Sequence, residues 1–381
     1  MKILYIANVR IPTEKAHGLQ IMKMCEAFTK AGSIVKLVLP TRKNFQLKNA
    51  VPFDFYKINH LFDLSYLKTH DPVWLMKLPF GLYLKIQSTL YTFSLWRYLK
   101  KNIKDRVDVI YTRDEYLLPF LNQFAEKLVW EAHNLPQKRN YYLKYWRRCH
   151  KIIAITAGLK NELVRMGLDP KRILVAPDGV DLNEFSKITA DQAEIRKRLS
   201  LPLNKKIIMY TGHLYDWKGA HTLARVAPDL TGNELLVFVG GTNREALDFK
   251  NKFGREKNIL IAGHVNHDLI PSYLAAADVL VLPNSAKKEI SRSYTSPMKL
   301  FEYLAAKKPI VASDLPSIRE ILNEDNAILV EPDSSSALAV AINRLLNNPQ
   351  LANDIASKSN QDVDQYSWSN RAKNIISFIS K

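Results

Sequence analysis

The chain has 381 residues, 47% hydrophobic and 24% charged, a globular composition whose length points to two domains rather than one core. Its net charge of +18 is lopsided: residues 1–180 hold 30 Lys+Arg against 14 Asp+Glu, residues 181–381 only 25 against 23. Two distant cysteines, Cys25 and Cys149, stand in no metal or redox spacing, and no run reaches the roughly 18 apolar residues of a spanning helix.

The expected compartment is therefore a reduced cytosol. MKILYIANVRIP lacks the long apolar run of a signal peptide and reads as a first strand, ILYIAN over 3–8. A helix over 21–32 ends at Gly32, and IVKLVLP, 34–40, is the second strand. After an aromatic, basic interval come VDVIYT (107–112), KLVWEAH (127–133), KIIAIT (151–156) and KRILVAPDG (171–179). The rhythm restarts with strands in KKIIMYTG (205–212), NELLVFVGG (233–241), KNILIAG (257–263), DVLVLPN (278–284) and KPIVAS (308–313). Helices fit over 271–277 and 297–307, and the polar, basic stretch within 181–202 reads as a domain connection. Apolar runs separated by helices predict two doubly wound α/β domains with parallel sheets covered on both faces.

Ligands of such sheets sit outside the carboxyl ends of the strands. The unusual loops fall there: RIPTEKAHG, EAHNLP, TGHLYDWKG and the Gly240-Gly241 pair. No GxGxxG or GKS/GKT fingerprint is present, which counts against an ordinary dinucleotide enzyme or P-loop nucleotidase.

APDGVDLNEF (176–185), TGHLYDWKG (211–219), LLVFVGG, AAADVLVLP (275–283) and SPMKLFEYLAAKKPIVASDLPSIREIL together resemble family 4 retaining glycosyltransferases. YSWSNRAKNIISFI (366–379) is similar to their terminal segment. The resemblance implies the GT-B architecture, two Rossmann-like domains facing across a cleft. It implies an acceptor-binding domain over 1–180, a nucleotide-sugar-binding domain over 181–365, and a C-terminal helix over 366–381 returning toward the first domain. The donor would be a nucleoside-diphosphate sugar, UDP or GDP favoured, with no cofactor required. No compact Asp/His cluster has an obvious metal spacing, so no metal ligand is assigned; HVNHD (264–268) reads as loop hydrogen bonding.

A departing nucleoside diphosphate develops negative charge that cations and N–H dipoles can stabilise. Lys218, before Gly219, is the leading candidate for that task and the alternative is a surface lysine. The resemblance implies an arginine where this chain has His213, whose imidazole offers hydrogen bonds or a pH-dependent charge but not a permanent guanidinium. In YTSPMKLFEYLA, Ser296 and Pro297 open a helix. Either they simply cap and stiffen it, with Pro297 as its first residue, or the free N–H groups beyond Pro297, starting at Met298, face a phosphate. Glu302 is assigned by the resemblance to the nucleotide ribose, and its alternative partner is Lys299 at i,i+3. Relatives often carry another glutamate where this chain has Tyr294; Glu289 is near in sequence, but using it needs a different intervening turn.

His133 follows a strand in the basic domain and is similar in position to a histidine that relatives place near the transferred sugar; loop capping is the competing reading. Glu131 points into the fold or supports that loop. Gly18 would let the backbone approach phosphate or sugar, unless it is a plain helix-start glycine, and Gly240 would permit close donor approach.

Residues 71–104 interleave aromatic and aliphatic groups with Lys and Arg, the ingredients of an interfacial helix or of a core helix with basic stems reaching solvent. The expected protein is a cytoplasmic enzyme, peripheral at the inner face of the membrane, moving a sugar to a glycan or lipid-linked acceptor. Its catalytic pair would be His133 and Lys218. An anionic membrane surface is a candidate partner; no RRM, KH or zinc spacing supports nucleic acid. The alternative is a noncatalytic nucleotide-sugar or anionic-surface binding protein.

Overall fold

The structure, a computed structural model, describes residues 1–42, 44, 47–77, 81–102, 107–230 and 232–381. Residues 78–80 and 103–104 of the aromatic, basic segment lie outside the described residues. The chain divides into two compact units, residues 1–177 with 368–381, and residues 178–367.

In unit 1, seven strands form one parallel sheet: β1 (Lys2–Ile6), β2 (Ile34–Pro40), β3 (Asp63–Leu67), β4 (Val109–Thr112), β5 (Leu128–Ala132), β6 (Lys151–Ala154) and β7 (Ile173–Val175). Their order is β3-β2-β1-β4-β5-β6-β7. The inner strands are buried along their length, as in β4 and β5, which is why they read as apolar runs. The edge strand DLSYL is half-buried and has no such run, so it is absent from the sequence reading.

Unit 2 repeats the design with six parallel strands: β8 (Lys206–Thr211), β9 (Glu234–Val239), β10 (Ile259–Gly263), β11 (Val279–Leu282), β12 (Ile310–Ser313) and β13 (Ile328–Val330). Their order is β10-β9-β8-β11-β12-β13. Two apolar clusters fill this unit, one built on Met209, Val237, Leu280 and Phe301, the other on Tyr210, Phe238, Val281 and Leu338. Three-residue β13 is again an edge strand that the sequence reading lacks. The two doubly wound α/β sheets are those of the GT-B fold class.

Three local expectations are corrected. The basic stretch within 181–202 is no connector: it forms helices Leu182–Ser186 and Gln192–Arg198. Arg196 is buried, paired with Asp278 at 2.7 Å and donating to the Ala276 carbonyl, so burial and pairing make this polar segment part of unit 2. Pro297 is not the first helical residue. It is the extended N-cap (φ −76°, ψ 120°) of helix Met298–Ala305. Ser296 does not cap that helix, because its Oγ accepts the Asp178 N–H at 2.9 Å.

Candidate functional site

Both sheets reverse their strand order beside the first strand, between β1 and β4 in unit 1 and between β8 and β11 in unit 2. Such switch points open a crevice at the carboxyl ends, where ligands bind.

In unit 2 the loop after β8 carries Gly212, His213 and Lys218, and ends on Gly219. Gly219 has φ +77°, and a Cβ there would lie 1.6 Å from the Pro283 carbonyl oxygen. Only glycine lets this loop close on the end of β11. The Ser285 N–H ties the same contact by donating to the Trp217 carbonyl at 3.1 Å. Lys218 is thereby held in place, its Nζ 4.1 Å from the Trp217 ring centroid. Burial of the ammonium lowers its pKa to about 8. A lysine so desolvated gains most when an anion arrives.

His213 is fastened differently. Its Nδ1 lies 3.2 Å from both oxygens of Glu245, and its ring stacks on Tyr215 at 4.8 Å. Glu245 also accepts the Leu214 N–H at 3.0 Å. Burial pushes this carboxyl up, yet the Leu214 N–H and His213 hold it below its ordinary value. Any charge on His213 is therefore shared with a carboxylate. Gly240 has φ +115°, and a Cβ there would sit 2.7 Å from the Gly212 carbonyl oxygen, so its close approach is to the neighbouring loop.

Helix Met298–Ala305 starts without a side-chain cap, leaving its first N–H groups, Met298 among them, to other partners. Glu302 is buried and bonds His267 Nε2 at 2.8 Å, so one histidine of HVNHD serves as a loop hydrogen-bond donor. The Lys299–Glu302 pair does not form. Lys299 instead turns its buried Nζ onto the Tyr210 ring, 3.7 Å from the centroid, with no hydrogen-bond partner. Burial, and then the charge of Lys218, push its pKa well below the ordinary lysine value, against the pull of Glu302. The role of this second lysine escaped the sequence reading, which offered it only as a helical partner for Glu302, although a lone lysine inside the apolar run of MKLFEYLA was the available signal. Asn284, at the end of β11, is likewise fully buried with both amide atoms unpartnered.

A π-helical turn, Ile290–Tyr294, supplies the different turn that Glu289 required. It brings the Glu289 carboxylate to the Tyr294 hydroxyl at 2.9 Å, so a carboxylate stands beside the tyrosine.

In unit 1, Glu131 is fully buried and gathers Gln20 at 2.6 Å, Tyr111, and Arg371 at 3.2 Å. Burial would raise its pKa, but Arg371 and the bond to His133 hold it well below the carboxylate range. Its Oε1 lies 2.6 Å from His133 Nε2. An ionised carboxylate only accepts, so Nε2 carries the proton and the ring orientation is set. Arg371 comes from the terminal helix Trp368–Ser380 and also donates to the Ala176 and Pro177 carbonyls. Gly18 has a tight internal reason to be glycine: a Cβ would meet Tyr56 Oη at 2.3 Å. That phenol is fixed, accepting the Thr13 N–H at 2.7 Å and donating to the Thr13 carbonyl at 2.9 Å.

Helix Leu82–Asn102 buries Tyr83, Gln87, Tyr91, Leu95 and Leu99, one residue per turn. Its opposite face exposes Leu82, Phe93 and Trp96, with Arg97 over Phe93 at 4.3 Å and Lys100 over Trp96 at 4.1 Å. No described helix is long and apolar enough to cross a membrane.

Comparison with known proteins accounts for both units. Residues 20–184 match the model of Glycosyltransferase Family 4, and residues 191–362 match that of Glycosyl transferases group 1. The chain belongs to the family-4-like glycosyltransferases of the GT-B superfamily. A putative teichuronic acid biosynthesis glycosyltransferase of Bacillus subtilis is 30% identical over 54% of this chain and 50% of its own length. A glycosyltransferase of Methanocaldococcus jannaschii is 28% identical over 62% of this chain and 60% of its own. The chain thus spans half to three fifths of these relatives. The crystal structure of Anabaena HepE in complex with UDP and glucose covers 100% of both chains with TM-score 0.77 at 18% identity, a likeness of fold.

Proposed function

We propose that this glycosyltransferase moves a sugar from a nucleoside-diphosphate sugar, held by residues 181–365, to a glycan or lipid-linked acceptor held by residues 1–180, with retention at the anomeric carbon. The observation that carries the reading is Lys218, desolvated beside Trp217 and locked by Gly219 against Pro283 at the unit 2 switch point. There it meets the donor diphosphate, with the open N-terminus of helix Met298–Ala305 supplying further N–H dipoles from Met298 onward. Ser296 and Pro297 shape the entry to that helix. His213 and Gly240 border the same ligand.

Lys299 is a reserve cation for the diphosphate. An ammonium buried without an acceptor is costly, and a phosphate oxygen is the partner that would offset it. Glu302 accepts from the ribose diol, with His267 fixing one of its oxygens. As the glycosidic bond breaks, charge grows on the leaving phosphate, which then takes the acceptor proton on the same face of the sugar. Lys218 stabilises that charge. His133 is assigned to orient a sugar hydroxyl and Gly18 to border the same acceptor region; no covalent protein nucleophile is invoked. Tyr294 with Glu289 is placed at the donor sugar. The exposed aromatic and basic face of helix Leu82–Asn102 fits peripheral contact with an anionic membrane at its cytoplasmic face.

The test offers UDP-, GDP- and ADP-sugars together with membrane extract and weighs any sugar-bearing product. UDP-sugars come first, since HepE was crystallised with UDP and glucose. Nucleotide binding without transfer from any donor would instead make this a noncatalytic nucleotide-sugar binding protein.

A further inference from the structure

We propose that the carboxyl edge of the unit 1 sheet is a site for an anionic group on the acceptor, a phosphate or carboxylate gripped by Arg10 and Arg42 beside Arg113. Only the word acceptor rests on the transferase reading; the site itself follows from the sheet. Strands β2, β1, β4 and β5 lie side by side. Each is followed by a basic residue: Arg42 after β2, Arg10 after β1, Arg113 after β4 and His133 after β5. Four loops of different sequence thus bring positive charge to one edge of one sheet.

Two of these cations converge. Arg10 Nη2 and Arg42 Nη2 both donate to a single neutral atom, Tyr83 Oη, at 2.9 and 3.2 Å. Each leaves its Nε buried and unpartnered. Arg42 spends another donor on the Asn8 carbonyl at 3.1 Å, and Arg113 donates to Gln20 at 2.7 Å. None of the three arginines makes an ion pair among the described residues.

The nearby carboxylates bond other groups, although Asp114 feels the charges of Arg113 and Arg42 and Glu115 that of Arg113. Asp71 accepts from Tyr83 at 2.7 Å and Asp114 from the Asn8 N–H at 2.6 Å. Glu14 accepts from Thr13 at 3.3 Å, and Glu131 pairs with Arg371 at 3.2 Å. Two guanidiniums drawn together on a phenol repel each other, and an oxyanion between them removes that repulsion. The planar fork of guanidinium donors matches a phosphate or carboxylate through parallel N–H bonds. His17 reports the field of this edge: burial, then the charges of Arg113 and Lys15, lower its pKa to about 3.

The test uses the full chain with UDP present and three probes: glucose 1-phosphate, methyl glucuronide and methyl glucoside. Titrations at low salt are expected to show both anionic sugars binding at least about tenfold more tightly than the neutral one, a preference that fades in high salt. Arg10→Ala and Arg42→Ala are expected to erase it. Arg42→Gln, which keeps an N–H donor for Tyr83 without the charge, should erase it as well and guards against misfolding of the alanine variants. UDP affinity checks that each variant is folded.

Vesicles of phosphatidylglycerol against phosphatidylcholine separate a lipid headgroup from a soluble anion as the source. If neither anionic-sugar preference nor phosphatidylglycerol binding depends on Arg10 and Arg42, the proposal is overturned. Equal transfer to neutral and anionic acceptors would also sink it while leaving the transferase reading intact. Anion preference without transfer from any donor would do the reverse.

Discussion

At the switch point of unit 2, charge is placed by one loop: Gly219 presses against Pro283, and the half-buried Lys218 lies over the Trp217 ring. At the carboxyl edge of the unit 1 sheet, basic residues are spread over four loops, and beside them Glu131 of β5 is fully engaged by Arg371, Gln20, Tyr111 and His133. The same doubly wound frame thus carries, among the described residues, a lysine without an ion pair in the loop after β8 and a closed polar network around Glu131 on β5. An unpaired, desolvated lysine is poised for a ligand that supplies the missing charge. A satisfied network fixes geometry instead, here the ring of His133.

That difference separates effects on stability from effects on binding. The largest change is expected from Glu131→Ala. It leaves the Arg371 guanidinium, 3% exposed, without its carboxylate, a loss of about 3–5 kcal/mol in urea unfolding. UDP affinity should be unchanged in the protein that remains folded. If UDP binding falls in proportion, the two regions do not have separate tasks. Gly219→Ala inverts the pattern: its Cβ would lie 1.6 Å from a backbone oxygen at φ +77°, so about 3 kcal/mol and UDP binding are lost together.

The comparison also explains what could be read in advance. Central strands such as KIIMYT and LVWEA are buried along nearly all their length and declare themselves as apolar runs, and the loops after them drew attention to His213, Lys218 and His133. Edge strand β3 did not, because DLSYL is only half-buried and carries no apolar run. Arg196 was hidden for the opposite reason: a basic segment reads as solvated unless its partner, Asp278, is known to stand 82 residues away. Lys299 was legible as a residue but not as a role. Helical spacing offered it Glu302, and only tertiary packing shows the Tyr210 ring taking the ammonium instead.

Next in size is Lys218→Ala, expected to cut kcat/KM by about a hundredfold, or ~2.7 kcal/mol. With a pKa of about 8, the cation is lost as pH rises through that value, so UDP affinity of the free enzyme should fall above pH 8. Lys218→Arg should abolish this fall, because a guanidinium stays charged. Stability responds in the other direction. Between about pH 8 and the ordinary lysine value, the unfolded chain binds a proton here that the folded chain releases, so this group makes stability rise with pH. A UDP titration flat across pH 7–9.5 would remove Lys218 from the diphosphate site.

The smallest effect tests the proposed ribose contact. Glu302→Gln keeps the shape of the side chain and a carbonyl for His267, but loses the charge proposed to accept from the two ribose hydroxyls. UDP affinity should fall about tenfold, equivalent to ~1.4 kcal/mol. The discriminating probe is the ligand lacking a diol, 2′-deoxy-UDP. Wild type should bind it less tightly than UDP, whereas the variant should hardly distinguish the two, since the lost group is the one that reads the ribose. If the variant retains the full preference for UDP, Glu302 serves only to hold His267 at 2.8 Å, and unit 2 reads its nucleotide elsewhere.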